Sequence, residues 1–317
     1  MIRLIILPLF SFLILATSCM QADIPLDLAA PDPKLAVTGY IQPDSAITLK
    51  LGRTFFIPAQ PEYDLQDVTA EIFINGDYAG ALTEKPDQGN RSTHTFTSEV
   101  RPGYGDQVMV KVGARGMKPV CAKTLIPQQR PVITMDTVRI GKNKMEYRVR
   151  LEGRNELCYY RIFLFQYYDV YIDDVYYETS QRHQLWVDYY KDPVLQEEWG
   201  YAEEEYRYYD YHLFTNRSFI GRDYTLTMQS DLVCSRKFAG VHPETGAPAQ
   251  IESRAFIVAK VLELSEDSYL HLKTLTAYKI DEGSDWIRVY SNVEEGIGVV
   301  GGYTESFVVT AMPEKAF

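Results

Sequence analysis

The sequence predicts a mainly β protein made of two β-sandwich-like units, the first Ig-like, the second carrying a long tyrosine-rich insertion and one short helix. Three observations lead there. From Lys34 onward, runs rich in β-branched and aromatic residues recur about every ten residues between Gly, Pro, Asn and Asp. Tyrosine, which favours strands and suits a half-wet surface, outnumbers the other aromatics, with 24 residues against 14 Phe and 3 Trp. The clearest helical start signal precedes Glu266–Tyr278, where Ser265 offers an N-cap oxygen and Glu266 and Asp267 suit the positive end of a helix dipole.

The chain opens with Arg3 and an apolar run from Leu4 to Ala16. A membrane-spanning helix needs about 20 apolar residues, so this run reads as a cleaved signal peptide, residues 1–18. Ala16-Thr17-Ser18-Cys19 is similar to the lipobox of bacterial lipoproteins, with Ala16 where Leu is usual, and makes Cys19 the lipid attachment site. Acyl chains on one cysteine anchor stably, each buried methylene contributing about 0.8 kcal/mol. Residues 19–33, rich in proline and without amphipathic period, are a tether.

The first unit, 34–127, takes strands at Leu35–Ile41, Ile47–Leu51, Val68–Ile74, His94–Val100, Val108–Val112 and Val120–Ile126. Asn75-Gly76 is a type I′ hairpin signal, because both residues accept positive φ. Two prolines bracket the boundary at Pro127–Pro131. The second unit, 131–317, takes strands at Val132–Ile140, Met145–Leu151, Cys158–Ile172, Tyr224–Met228, Ala255–Leu264, Trp286–Ser291 and Phe307–Ala311. Residues 173–212 read as the insertion, with room for a short helix around Val194–Tyr206. Glu295–Gly302, rich in glycine, reads as a turn between strands and not as a dinucleotide loop, since it neither follows a βαβ start nor opens a helix.

Without residues 1–18, 31 Lys and Arg stand against 43 Asp and Glu, a net charge of −12 with no basic cluster. That balance excludes nucleic acid as a partner and excludes electrostatic attraction to anionic lipid. The three cysteines beyond Cys19, at 121, 158 and 234, allow at most one disulfide and have no metal-site spacing. The five histidines are scattered, and no nucleophile–base motif, P-loop or metal signature occurs. Asp173-Asp174, as adjacent acids in a strand, would point to opposite faces and share no ion. The expectation is therefore no enzyme, no metal and no cofactor. Binding is expected instead at Tyr167, Tyr168, Tyr171, Tyr176, Tyr177, Trp186, Tyr189 and Tyr190, because eight aromatics in so short a stretch exceed what one strand face can bury.

Lys34-Leu-Ala-Val-Thr-Gly-Tyr-Ile41, Val68–Gly76, Leu125-Ile-Pro127, Leu213–Arg222, Leu262–Tyr278 and Ser291–Gly298, taken in this order, resemble a family of secreted Bacteroidetes lipoproteins catalogued as domain of unknown function 4249. The chain departs from that pattern at Thr215-Asn216, where an aspartate is usual, and at Val299-Val300, where a phenylalanine is frequent. Genes of that family commonly neighbour TonB-dependent receptors, so the resemblance implies an outer-membrane lipoprotein partnering such a transporter. It implies no catalytic residue. Asp44-Ser45-Ala46 and Asp136-Thr137-Val138 are similar to the O-glycosylation acceptor of that phylum. Met20-Gln-Ala-Asp23 holds one acid, a poor match to surface-export signals, and the choice between periplasmic and exterior face stays open. The competing reading is a structural or adhesive surface module with no transported ligand.

Overall fold

The structure is a computed structural model that describes residues 31–55, 63–85, 93–180, 183–185, 187, 192–197, 212–280 and 288–314. Its strands are β1 (Leu35–Ile41), β2 (Thr48–Arg53), β3 (Thr69–Ile74), β4 (Asp77–Ala81), β5 (Thr83–Lys85), β6 (His94–Thr97), β7 (Gln107–Gly113) and β8 (Val120–Leu125), followed by β9 (Ile133–Ile140), β10 (Lys144–Leu151), β11 (Tyr159–Ile172), β12 (Val175–Thr179), β13 (His183–Gln184), β14 (Leu213–Thr215), β15 (Tyr224–Asp231), β16 (Arg236–Val241), β17 (Pro248–Leu264), β18 (Val293–Glu294) and β19 (Ile297–Ala311). Two helices, α1 (Pro193–Glu197) and α2 (Glu266–Ile280), complete the described elements. The protein is mainly β, with several sheets stacked in sandwich fashion.

One large sheet runs β12-β11-β17-β19-β1-β2-β6-β5, with β13 and β14 also on β11 and β16 on β17. Two smaller sheets, β18-β8-β7-β3-β4 and β15-β10-β9, complete the strand layers. Strand alternation explains the layering. β1 turns Leu35, Val37 and Ile41 inward, and β7 turns Val108, Val110 and Val112 inward, so each buries every second residue. Together with Leu49, Leu51, Ile72 and Ile126 they form a first core. A second core gathers Tyr147, Val149 and Met228 from the smaller sheet against Tyr160, Ile162, Leu164, Ile257 and Val261 from the large one. Each fully buried side chain of this kind contributes roughly 1.5–3 kcal/mol.

The two cores lie on either side of 127–131 in sequence, except that Val293 and Val300 join the first. Pro33–Phe317 forms one compact unit, in which β19 pairs with strands of both halves. Its first part pairs in parallel with β1, from Ala36–Ile297 to Ile41–Gly302, and its second part pairs antiparallel with β17. The glycine-rich stretch is thus mostly strand and not turn; only Glu295 and Gly296 make the bend. Glycine is required here by close approach: a Cβ on Gly298 would lie 2.1 Å from the Val37 carbonyl oxygen, and one on Gly301 would lie 2.0 Å from Ser268 Oγ. Beside Gly301, the Gly302 N–H donates to Ser265 Oγ at 3.0 Å and to Thr124 Oγ1 at 3.1 Å, while Ser268 Oγ donates to the Gly302 carbonyl at 3.0 Å. This buried hydroxyl cluster joins β8, the start of α2 and β19.

Other expectations change for local reasons. Asp173 and Asp174 are not in a strand. They form the two-residue turn between β11 and β12, with φ of 49° and 66°. Arg288–Asn292 is not strand. Tyr290 instead donates its N–H to Thr274 Oγ1 and its hydroxyl to Asp267, tying this segment to α2. Of the helix expected over Val194–Tyr206, the described part is α1; Trp286 and residues 198–206 lie outside the described residues. Cys121, Cys158 and Cys234 are all free thiols. Burial pushes the Cys158 thiol up to about 11, with Glu263 adding to it. No helix among the described residues is long and apolar enough to cross a membrane.

Candidate functional site

The candidate site is the outer face of the large sheet, the face turned away from the second core. In β11 the even residues Tyr160, Ile162 and Leu164 are buried in that core, so the odd residues Phe163, Phe165, Tyr167, Asp169 and Tyr171 project outward. Register then sets their neighbours: Phe163 pairs with Lys260, Phe165 with Val258, Tyr167 with Phe256, Asp169 with Arg254 and Tyr171 with Glu252. One strand further, Lys260 pairs with Phe307 and Val258 with Val309. An aromatic band crosses three strands. Tyr167 stacks on Phe256 with centroids 5.2 Å apart, and Phe163 on Phe165 at 5.7 Å. Arg161 lies over Phe163 at 4.4 Å.

At the far end of the band Tyr171 meets Tyr176 of β12 edge-on at 5.8 Å, and the Arg254 guanidinium lies 4.0 Å from the Tyr171 ring centre. Arg254 donates to both Glu252 oxygens, at 2.6 and 3.3 Å, which holds the Glu252 carboxyl below its usual range. Lys237 stands 3.7 Å from the same carboxylate. The guanidinium is therefore fixed against the Tyr171 ring, a stiff arrangement that combines apolar area with charged donors. At the near end, α2 covers the sheet: Tyr269 packs on Tyr159 at 4.8 Å, with Leu213 and Leu264 buried beneath.

The sequence-predicted residues divide. Tyr167, Tyr171 and Tyr176 share the outer face. Tyr168 does not, because its even position turns it to the second core, where burial raises its phenol. Tyr177 sits at a register shift opposite Val170 and Tyr171 and faces His242, with ring centres 6.1 Å apart. Cys19, Trp186, Tyr189 and Tyr190 lie outside the described residues. Ser45 is half-buried in the turn after β1, and Thr137 is half-buried within β9. Phe256, Arg254 and Phe307 belong to the band without having been singled out in the sequence. Among the described residues no three His, Cys, Asp or Glu side chains gather in a way that could hold a metal.

Neither models of known protein families nor curated proteins match this chain.

Proposed function

We propose that this is a non-catalytic lipoprotein, held to the outer membrane through a lipid on Cys19, that captures a ligand for, or docks onto, a TonB-dependent transporter. The observation that carries the binding half of this reading is the aromatic band ending at Tyr171, Tyr176 and the clamped Arg254. Tyrosines and arginines held rigidly side by side are the residue types that dominate recognition surfaces, because little side-chain freedom is lost on contact. Tyr176 is 54 % exposed, more than a covering role for this sheet requires. The lipobox supports the anchor, and the family resemblance supports the transporter as partner.

The test replaces Tyr171 and Tyr176 together with alanine and pulls the tagged protein from native membranes. The expected outcome is that transporter recovery falls at least about tenfold, equivalent to 1.4 kcal/mol of lost affinity, while the melting temperature stays within a few degrees of wild type. Undiminished recovery by the folded double variant would place the contact elsewhere.

A further inference from the structure

Among the described residues, no strand pairs with the second part of β19 on the side opposite β17. β1 pairs only with Ile297–Gly302, and β17 pairs with Tyr303–Ala311 on the opposite side. Two hydrogen bonds fix which backbone groups look outward. Met312 N–H donates to the Ala255 carbonyl and Ser265 N–H donates to the Gly302 carbonyl, both at 2.8 Å, so the even residues of β19 are those bonded to β17. The N–H and C=O groups of Glu305, Phe307, Val309 and Ala311 therefore point to the open side. Their side chains stand on the outer face, where Phe307 is 64 % and Val309 45 % exposed.

Natural sheets blunt such edges with charge, proline, bulges or short length. The other long edges here obey that rule. β12 carries Glu178 and a register shift, β16 carries Arg236 and Lys237, and β9 carries Asp136 and Arg139. β15, which lacks charge at its centre, is capped by Asp192, whose carboxylate accepts the Thr227 N–H at 2.8 Å. Ser306-Phe-Val-Val-Thr-Ala311 has none of these devices, being uncharged and free of proline in a chain of net charge −11. Glu305 at its border is neutralised by Lys260 at 2.5 Å.

We propose that this edge is a self-association surface, where β19 of a second copy adds antiparallel across a twofold axis and the large sheet continues from one copy into the next. The segment is complementary to itself. Under a twofold axis normal to the sheet, outward backbone groups meet outward groups when odd residues pair with odd ones. Centred on Val308, the register sets Phe307 opposite Val309 of the second copy, Ser306 opposite Thr310 and Glu305 opposite Ala311. Every outward N–H then faces an outward C=O, the two exposed apolar residues cover each other, and no like charges meet. Centring on Phe307 would instead set Glu305 against Val309 and would drive the partner towards Tyr303, whose hydroxyl is bonded to Gln42 at the end of β1. The neutrality of the edge favours a second copy: charged sites would otherwise select an unlike partner, and this stretch offers none.

The experiment is sedimentation equilibrium of the full chain in detergent at about 100 µM, where an interface of micromolar affinity is saturated. Wild type should run as a dimer. Val309→Pro removes an N–H that faces the open side and leaves the bonds to β17, so it should be monomeric with its melting temperature retained. Should that variant unfold, Phe307→Lys with Val309→Lys, which keeps every N–H, should give the same monomer. A monomeric wild type overturns the proposal, as does a folded dimer of either variant. A monomeric wild type whose amides at 305, 307, 309 and 311 are protected from exchange only in native membranes would assign the edge to a different protein and equally overturn self-association.

Discussion

Around the first core the strands show one dry face and one wet face; around the second, the large sheet is covered to some extent on both. β1 reads buried and accessible in strict alternation, and so does β7. In β11 Tyr159–Leu164 alternates between half-buried and buried positions and Phe165–Tyr171 is half-buried throughout, with the aromatic band on its outward side. A strand with water on one side needs only aliphatic residues at every second position. A strand with partial cover on both sides takes residues that tolerate both environments, which is why tyrosine and phenylalanine replace the polar residues of an ordinary outer face. The difference between the halves is thus one of how many faces each sheet hides, and β19 is where the two regimes meet.

The largest expected effect comes from breaking that meeting point. Gly298 holds φ of 111°, and its missing Cβ faces the Val37 carbonyl oxygen, a backbone atom that cannot move aside without loss of the β1–β19 pairing. Gly298→Ala should destabilise by about 3–5 kcal/mol, combining backbone strain with overpacking. Hydrogen exchange tests whether the halves then separate. Amides of β1 and β2 are expected to lose protection while those of β10 and β15 keep it. Equal loss in both would mean the cores unfold as one.

A smaller effect lies at the seam itself. Arg154 donates to Glu263 at 2.9 Å, both side chains nearly buried, and also reaches the Arg130 carbonyl in the connecting segment at 3.4 Å. Burial, the largest influence on Glu263, raises its carboxyl above the usual range, with Arg154 opposing. A carboxyl whose folded pKa is raised binds protons more readily folded than unfolded. Its contribution is therefore full below the ordinary glutamate range and is lost as pH rises through the raised folded pKa. Glu263→Gln, which keeps an acceptor for Arg154 but cannot titrate, should flatten the fall in stability as pH rises from the ordinary glutamate range upward. Urea titrations across that range check the slope; an unchanged slope would exclude Glu263 as its source.

How much of this was legible depended on the same contrast. Alternation in Leu35–Ile41 and Val108–Val112 is visible in one dimension, because one face is apolar and the other polar. In Cys158–Ile172 both faces are apolar or aromatic, so the sequence shows a strand but not which tyrosines point outward, and the pleat sends the neighbours Tyr167 and Tyr168 to opposite faces. Arg254 and Phe256 were illegible as site residues since only register with β17 brings them beside Tyr171 and Tyr167. The glycines of 296–302 looked like turn residues because close approach to Val37 and Ser268 is a tertiary fact with no local signature.

The smallest expected effect compares the same turn in both regions. β3 and β4 are joined by Asn75-Gly76, with φ of 53° and 94°, and β11 and β12 by Asp173-Asp174, with φ of 49° and 66°. Both are two-residue loops with positive φ at each position, the type I′ geometry that matches strand twist. Only the first has the residues that geometry favours. Aspartate enters this region at a cost that glycine avoids, so Asp174→Gly should stabilise the protein by about 0.5 kcal/mol, even after Gly's greater freedom in the unfolded chain is counted. The lost contact, Lys237 to Asp174 at 3.5 Å, is solvent-exposed and contributes little. Asp173 must stay, because its carboxylate accepts the Gln250 N–H at 2.8 Å and links the turn to β17, much as Asn75 Oδ1 accepts the Gln107 N–H at 3.0 Å in the first region. Thermal melts of Asp174→Gly and of Asp173→Gly should therefore move in opposite directions, and a gain from both would show that the carboxylate bond adds nothing to the second hairpin.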